Sequence, residues 1–302
     1  MDRFDAIRTL LAAVDGGSLS AASRKFGIPL PTVSRQVSEL EARLGTQLVI
    51  RTHRNLLLTE AGSAFVAAGR RVLEELDEAE RAAAGEYRTP RGDLLVTAPI
   101  LFGKLHVTPV VLSFLAAYPE VNVRVVFFDH VIDLIENHVD VAVRIGHLPD
   151  SGLVAARIGE IHWVICASPA YLSTHDTPVA PDDLTKHDCI GFEGLQKVRT
   201  WPFGRGADAK TVPIRPRFAA NTAEAVIEAA IAGIGIARLT SYQAARAIRE
   251  GRLVSLLRGY NPEPLPVHLV HTRPSLVPLK MRAFLDFAGL RLKASLAEIA
   301  NI

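Results

Sequence analysis

The sequence predicts a chain of mixed α and α/β class: a short helical segment with a β-hairpin, then one long helix, then a larger region of alternating strands and helices. Three observations carry this prediction. Apolar residues recur three and four apart as far as Leu44. One proline-free helical pattern runs from Glu60 to Gly85. Beyond it, β-rich runs such as Val121–Phe128 alternate with helical ones, the order of a parallel sheet with right-handed crossovers.

In chain order, Asp2 caps a first helix with the apolar stripe Phe4, Ile7, Leu10, Leu11 and Val14, and Gly16-Gly17 ends it. Ser18 or Ser20 caps a short second helix over Ala21–Phe26, and Gly27 supplies the turn that follows. Pro31 suits the first turn of a third helix, where its missing N–H costs nothing. That helix is expected to bury Val33, Val37 and Leu40, with Leu44 as a further candidate, and to turn Thr32, Ser34, Arg35 and Gln36 outward. Three short helices around a glycine turn spell a helix-turn-helix.

The run QLVIRTHRNLLLT reads as a hairpin wing with a polar tip at Arg51–Asn55, and Thr59 then caps the long helix. Within Glu60–Gly85, Phe65, Gly69, Val72, Leu76, Ala79 and Ala83 form a heptad seam suited to pairing with a second helix. A plain amphipathic helix lying on its own domain is the alternative. Glu86–Gly92 is polar, contains a proline and a glycine, and is the linker candidate.

Beyond the linker, strands are expected at Leu94–Thr97, Val121–Phe128 and Val141–Ile145, and helices at Lys104–Ala117 and Val131–Asn137. A second α/β half begins near His162–Ala167, with helices at Ala223–Ala232 and Tyr242–Ile248. Pro266–Thr272 is a late strand and Pro278–Arg291 a closing amphipathic helix. The expected domains are 1–59, a linker and dimerisation helix over 60–90, and 91–302. The last divides into one subdomain of about 91–161 with 266–302 and another of about 162–265.

Composition narrows the function classes. The chain has 302 residues, 49% of them hydrophobic and 22% charged, enough for two or three soluble domains. Net charge is only +2, so any basic surface is local. Arg24, Lys25 and Arg35 stand in a stretch without acids, Arg51, His53 and Arg54 follow, and acids gather at Glu74–Glu80. Two cysteines, Cys166 and Cys189, are too few for a disulfide scaffold and read as buried thiols or as a redox pair. The N-terminus does not read as a signal peptide and no stretch reads as a membrane span, so a cytoplasmic protein is expected.

Catalytic chemistry finds no footing. The ten histidines are scattered without metal-ligand spacing, no P-loop or G-x-S-x-G occurs, and AGIGIA follows a helix instead of leading into one. No metal, no cofactor and no enzyme activity are expected. Close packing of a strand is the preferred use of those glycines.

The stretch Gly16–Gly62 carries Gly17-Ser18, Ala21-Ala22, Val33-Ser34, Leu40-Glu41, Leu44-Gly45, Arg51, Leu58-Thr59 and Ala61-Gly62. In this it resembles the winged helix-turn-helix of LysR-type transcriptional regulators. PILFGKLHVTPVVLSFLAAYPEVNV, DVAVRIG, CASPAYL and HDCIGF resemble that family's effector domain, a periplasmic-binding-protein-like fold of two α/β subdomains. There are departures. Pro29 stands where many relatives have a capping Ser or Thr, Val49 where they have Phe, and Arg238 and Thr240 where they have an apolar residue and a proline.

The resemblance implies a transcription factor that binds double-stranded DNA and a small-molecule effector. It would act as a homodimer or homotetramer, with RNA polymerase admitted as a further partner and no membrane. An exposed polar helix N-terminus fits the major groove. The expected DNA-binding residues are Ser20, Pro31, Thr32, Ser34, Arg35 and Gln36, with Arg51, His53 and Arg54 on the wing meeting phosphates or the minor groove. Effector contacts are expected at Thr97, Ala98, Pro99, Leu101 and Phe102, whose backbone N–H groups would suit an anion. To these the resemblance adds Arg144, Gly146, Phe192, Trp201, Asn221, Thr222 and Arg238. Asn221 reads alternatively as half of a capping box with Glu224, and Arg144 as a hinge ion-pair partner. A small carboxylate effector is favoured because Arg144 and Arg238 both lie within reach of the cleft. Phe65, Val72, Leu76 and Ala79 are the dimerisation candidates. A transport-type binding protein and a redox regulator using Cys166 and Cys189 are the alternatives.

Overall fold

The computed structural model describes residues 2–51, 56–83, 89–193, 198–272 and 277–299. The chain divides into two compact units, Met1–Arg88 and Thr89–Ile302.

In the first unit, α1 (Arg3–Asp15) starts where the Asp2 carboxylate accepts from the Phe4 N–H at 3.0 Å. Helix α2 (Leu19–Phe26) begins two residues earlier than expected, because the Ser18 hydroxyl accepts from the Ala21 N–H at 3.2 Å; Ser20 is therefore a helical residue and not the cap. Gly27, at φ +66°, makes the left-handed turn into α3 (Leu30–Leu44), whose cap position is Pro29, without a side-chain cap bond. Val33, Val37 and Leu40 are buried, at about 1.5–3 kcal/mol each. Leu44, at the end of the stripe, is instead 36% exposed.

Strands β1 (Val49–Arg51) and β2 (Leu56–Leu58) pair antiparallel as the wing, and Val49 fills its core position with 1% exposure. The Glu41 carboxylate accepts from the N–H groups of Leu48 and Val49 at 2.8 and 3.1 Å, tying α3 to the wing. Helix α4 (Glu60–Ala83) is capped by Thr59, whose hydroxyl accepts from the Gly62 N–H at 2.9 Å. Its inner face is Val66, Gly69 and Leu73. A Cβ on Gly69 would lie 2.9 Å from Ile7, so this member of the expected pairing seam faces α1. Arg8–Asp77 and Arg70–Asp15 ion pairs flank the same junction.

The second unit opens with β3 (Gly92–Ala98), which takes in Gly92 from the expected linker. A continuous helical run follows: α5 (Ile100–Phe102), a π-helical turn over Gly103–Val107, and α6 (Thr108–Ala117). It starts four residues before the expected Lys104. This run, Ile100–Ala117, is also long and apolar enough by composition to cross a membrane, contrary to expectation. Leu101, Phe102, Val107, Val110, Val111 and Phe114 bury its inner face in the core of this unit.

Strands β4 (Val121–Phe127) and β5 (Val141–Ile145) follow. The helix expected at Val131–Asn137 is only a hydrogen-bonded turn. The Asp133 carboxylate captures the Ile135 and Glu136 N–H groups, and His138 at φ +55° breaks the run. After β6 (Val154–Ile161) the chain enters a second sheet through β7 (Trp163–Ala167), α7 (Pro169–Leu172) and β8 (Asp188–Phe192). Next come the hairpin β9 (Thr200–Phe203) with β10 (Lys210–Pro213), then β11 (Arg215–Ala220) and α8 (Ala223–Ile231). Strand β12 (Ile236–Thr240), α9 (Ser241–Arg249) and β13 (Val254–Leu256) complete that half, and β14 (Leu265–His271) and α10 (Leu279–Ile299) return to the first. Helix α10 runs eight residues beyond the expected Arg291.

The sheets have orders β4-β3-β5-β14-β6 and β11-β8-β12-β7-β13. Neither is fully parallel as expected: β14 lies antiparallel between β5 and β6, and β7 antiparallel to β12 and β13. The parallel strands of both sheets end at Ala98, Phe127, Ile145, Phe192, Ala220 and Thr240, and ligand sites of α/β sheets form at such carboxyl ends. Helices α8 and α9 cover one face of the second sheet with Val226, Ala230, Ala244 and Ala247. The β9–β10 hairpin covers the opposite face. Gly235 belongs to this packing, since a Cβ there would meet the Asp188 carbonyl at 2.4 Å.

Candidate functional site

The exposed face of α3 is smaller than expected. Arg35 projects into solvent with 71% of its side chain exposed, held only by a 3.7 Å ion pair to Glu39. Thr32 and Ser34 are half-buried and Pro31 is exposed. Gln36 departs from the expectation: its Oε1 accepts from the buried Thr9 hydroxyl at 2.9 Å, so one end of the amide braces α1. Ser20 is half-buried within α2. His53 and Arg54 lie outside the described residues, as do the side chains of Arg51 and Ala79. On α4, Val72 is 45% exposed, whereas Phe65 packs partly against its own unit's core and Leu76 is half-buried.

At the carboxyl ends of the sheets, Thr97, Ala98, Leu101 and Phe102 are buried and Pro99 is half-buried. The Ile100 N–H is already taken by the Asp129 carboxylate at 2.9 Å, so an incoming anion finds fewer donors here than expected. Phe102 meets Tyr242 of α9 edge to face, with centroids 5.2 Å apart, and His106 sits 4.8 Å from Phe102. The His106 ring lies 2.7 Å from the Ser295 hydroxyl, and burial lowers its pKa. Burial pushes the Tyr242 hydroxyl up to about 12. Tyr242 and His106, which join the two halves, were missed in the sequence because nothing local marks them.

Gly146, at φ +112°, turns the chain after β5 and donates to the Pro266 carbonyl at 2.8 Å. The Arg144 guanidinium donates to the Ile132 carbonyl and is partly desolvated, which lowers its pKa; this partner is a carbonyl and not the ion-pair carboxylate considered. Thr222 caps α8, its hydroxyl accepting from the Ala225 N–H at 3.4 Å. Asn221 is one position too early for the capping box. Phe192 packs against the cores of both halves. Trp201 departs from expectation altogether: at 3% exposure it is core beneath the β9–β10 hairpin, with Tyr171, Leu184 and Phe203.

Arg238 takes a distinctive place. In β12 it stands opposite Ile165, and Thr240 stands opposite Trp163. Its guanidinium nevertheless lies 3.9 Å from the centroid of the Trp163 ring, so the side chain leans toward the carboxyl end of β12. Burial lowers its pKa to about 10, and it stays charged at neutral pH. No ion-pair partner faces it among the described residues. The carboxylate of Glu193, at the end of the neighbouring strand, instead accepts from the Val198 N–H. Buried Thr240, on the same sheet face, caps α9, and its backbone N–H donates to the Gln243 side chain at 2.9 Å.

The two cysteines occupy opposite faces of the second sheet, Cys189 toward the β9–β10 hairpin and Cys166 toward α8 and α9. Burial pushes both thiols up to about 12, away from the reactive thiolate, and neither forms a disulfide. Among the described residues no group of three or more His, Cys, Asp or Glu is arranged to hold a metal ion.

A winged helix-turn-helix, a long helix and a two-sheet α/β unit with polar groups at its strand ends define a DNA-binding regulator with a ligand-binding domain. The profile for the bacterial regulatory helix-turn-helix protein, lysR family, matches residues 4–63, and that for the LysR substrate binding domain matches residues 88–292. An HTH-type transcriptional regulator of Xanthomonas campestris pv. campestris is 35% identical over 92% of this chain and 82% of its own length. CrgA of Neisseria meningitidis serogroup C is 33% identical over 93% of this chain and 94% of its own. The solved structure of CrgA, a LysR-type transcriptional regulator from Neisseria meningitidis, superposes with a TM-score of 0.62 at 31% identity, covering 97% and 99% of the two chains. The virulence activator AphB of Vibrio cholerae gives 0.59 at 29% identity over 95% and 98%. The chain belongs to the LysR family of transcriptional regulators: it binds DNA through its helix-turn-helix, carries an effector-binding domain and is not an enzyme.

Proposed function

We propose that this regulator responds to a small organic anion whose carboxylate is held by Arg238 between the two sheets, and that α3 reads the major groove of a partly palindromic operator. The observation that carries the effector reading is the desolvated, charged guanidinium stacked on Trp163 with no facing carboxylate. A buried charge without a partner is costly, and a ligand carboxylate would offset that cost. Arg144 approaches from the other sheet, although no contact joins it to Arg238 among the described residues.

The protein works in the cytoplasm as a homodimer, or as a tetramer of two dimers. The α4 residues Val72, Leu76 and Ala79 pair the copies, and RNA polymerase is a further partner. Exposed Val72 supports this surface; Gly69 does not contribute to it. Effector binding shifts the closure of the two halves about the Phe102–Tyr242 contact, a population shift read out at DNA. Titration calorimetry of the full chain with a panel of small organic acids and neutral analogues tests this reading. Saturable binding by some acids, and by none of the matching amides, is expected; indifference to charge would contradict it.

A further inference from the structure

We infer that Leu30 is a specificity-determining residue that reads the 5-methyl group of a thymine in each half-site by apolar contact. The inference rests on α3 being the helix that enters the major groove. Recognition helices of this kind contact base edges with their N-terminal residues. Here that end is Pro29, Leu30 and Pro31, all exposed, with Leu30 at 43%.

Leu30 continues the inward spacing of Val33, Val37 and Leu40, yet it projects past the end of the core those residues fill. The tip is also poor in donors. Two of its three residues are prolines without N–H groups, Pro29 offers no side-chain cap, and the Thr32 and Val33 N–H groups both return to the Pro29 carbonyl at 2.9 and 3.2 Å. What remains is one N–H, that of Leu30, on an apolar surface.

A helix end of this kind has little with which to hydrogen-bond base edges. The matching feature of unmodified DNA in the major groove is the thymine methyl. The surroundings supply the attraction for DNA that the tip lacks: Arg24 and Lys25 are exposed in the last turn of α2, and Arg35 is exposed one turn further along α3. Backbone phosphates are met by Arg24 and Lys25, and discrimination is left to α3, by Arg35 along its exposed side and by Leu30 at its tip.

The test starts from sites selected out of random DNA by the purified full-length protein. Each thymine of the selected half-site is replaced by deoxyuridine, which differs only by the methyl, and affinities are compared for wild type and Leu30→Ala. One thymine per half-site should matter, at about fourfold per replacement, the effect of withdrawing one methyl from apolar contact. Leu30→Ala should bind both sites alike. Thermal melting verifies that the variant is folded, and Leu30→Gln serves as the second variant should alanine lower the yield of folded protein. Wild-type indifference to uridine at every position overturns the inference. So does uridine sensitivity that survives loss of the leucine, which would move the contact to another group. If the groove assignment of α3 itself were wrong, Arg35→Ala would also leave the selected sequence unchanged, which separates the two failures.

Discussion

At the scale of residues, two arginines carry the functional reading in opposite environments. Arg35 is exposed, and its i,i+4 pair with Glu39 is of the kind that stabilises a helix by only about 0.3–0.5 kcal/mol, so it is free to exchange that partner for DNA. Arg35→Ala should weaken specific DNA binding by about 1–3 kcal/mol and relax the preferred sequence, as read by competition binding against selected and scrambled sites. Arg238 is desolvated and stacked. Arg238→Leu should leave the melting temperature unchanged or raised, because an unpaired charge leaves the interior. It should also lower affinity for the effector anion by about ten- to a hundredfold, the scale of a charged hydrogen bond. Retained calorimetric binding in that variant would remove Arg238 from the site. The identities of both arginines were legible in the sequence. Their environments were not, because accessibility depends on neighbours far along the chain: Trp163 for Arg238, Thr9 for Gln36, and Tyr171, Leu184 and Ile236 for Trp201.

At the scale of elements, the junction of wing and long helix shows how local chemistry fixes placement. The Thr59 hydroxyl caps α4 and also donates to the Gln47 carbonyl at 2.7 Å, joining the helix start to the chain entering β1. Gly62 lets α4 approach the wing, since a Cβ there would fall 1.9 Å from the Leu48 carbonyl. Gly62→Ala should therefore destabilise the first unit by about 1–3 kcal/mol in denaturant unfolding, and Thr59→Ala by about 1 kcal/mol. A neutral Gly62→Ala would show that the wing shifts without cost. The caps at Asp2 and Thr59 and the turn at Gly27 were readable because they act within three residues of their own position. The failed helix at Val131–Asn137 was misread for the same reason in reverse: its apolar spacing is real, but the local bonds of Asp133 and the left-handed His138 override it.

At the scale of the whole molecule, the alternation of strands and helices was enough to predict two α/β halves. It could not give the antiparallel insertion of β14, which comes from the chain's return to the first sheet after building the second. Nine of the ten histidines belong to the second unit, and burial lowers the pKa of His106, His162, His187 and His268 below 6.5. Each binds a proton less readily when folded than in the unfolded chain, so acid favours unfolding. The effector unit should accordingly melt at lower temperature as pH falls from 7.5 to 5.5. A flat or rising midpoint over that range would contradict the burial of these rings.

The central claim, a regulator whose α3 reads a two-fold operator, is tested most directly by sequencing the DNA retained by the purified protein from a random pool. A motif of two inverted half-sites that loses definition in Arg35→Ala is the expected result. Recovery of no motif, or of one that Arg35→Ala leaves intact, would contradict it.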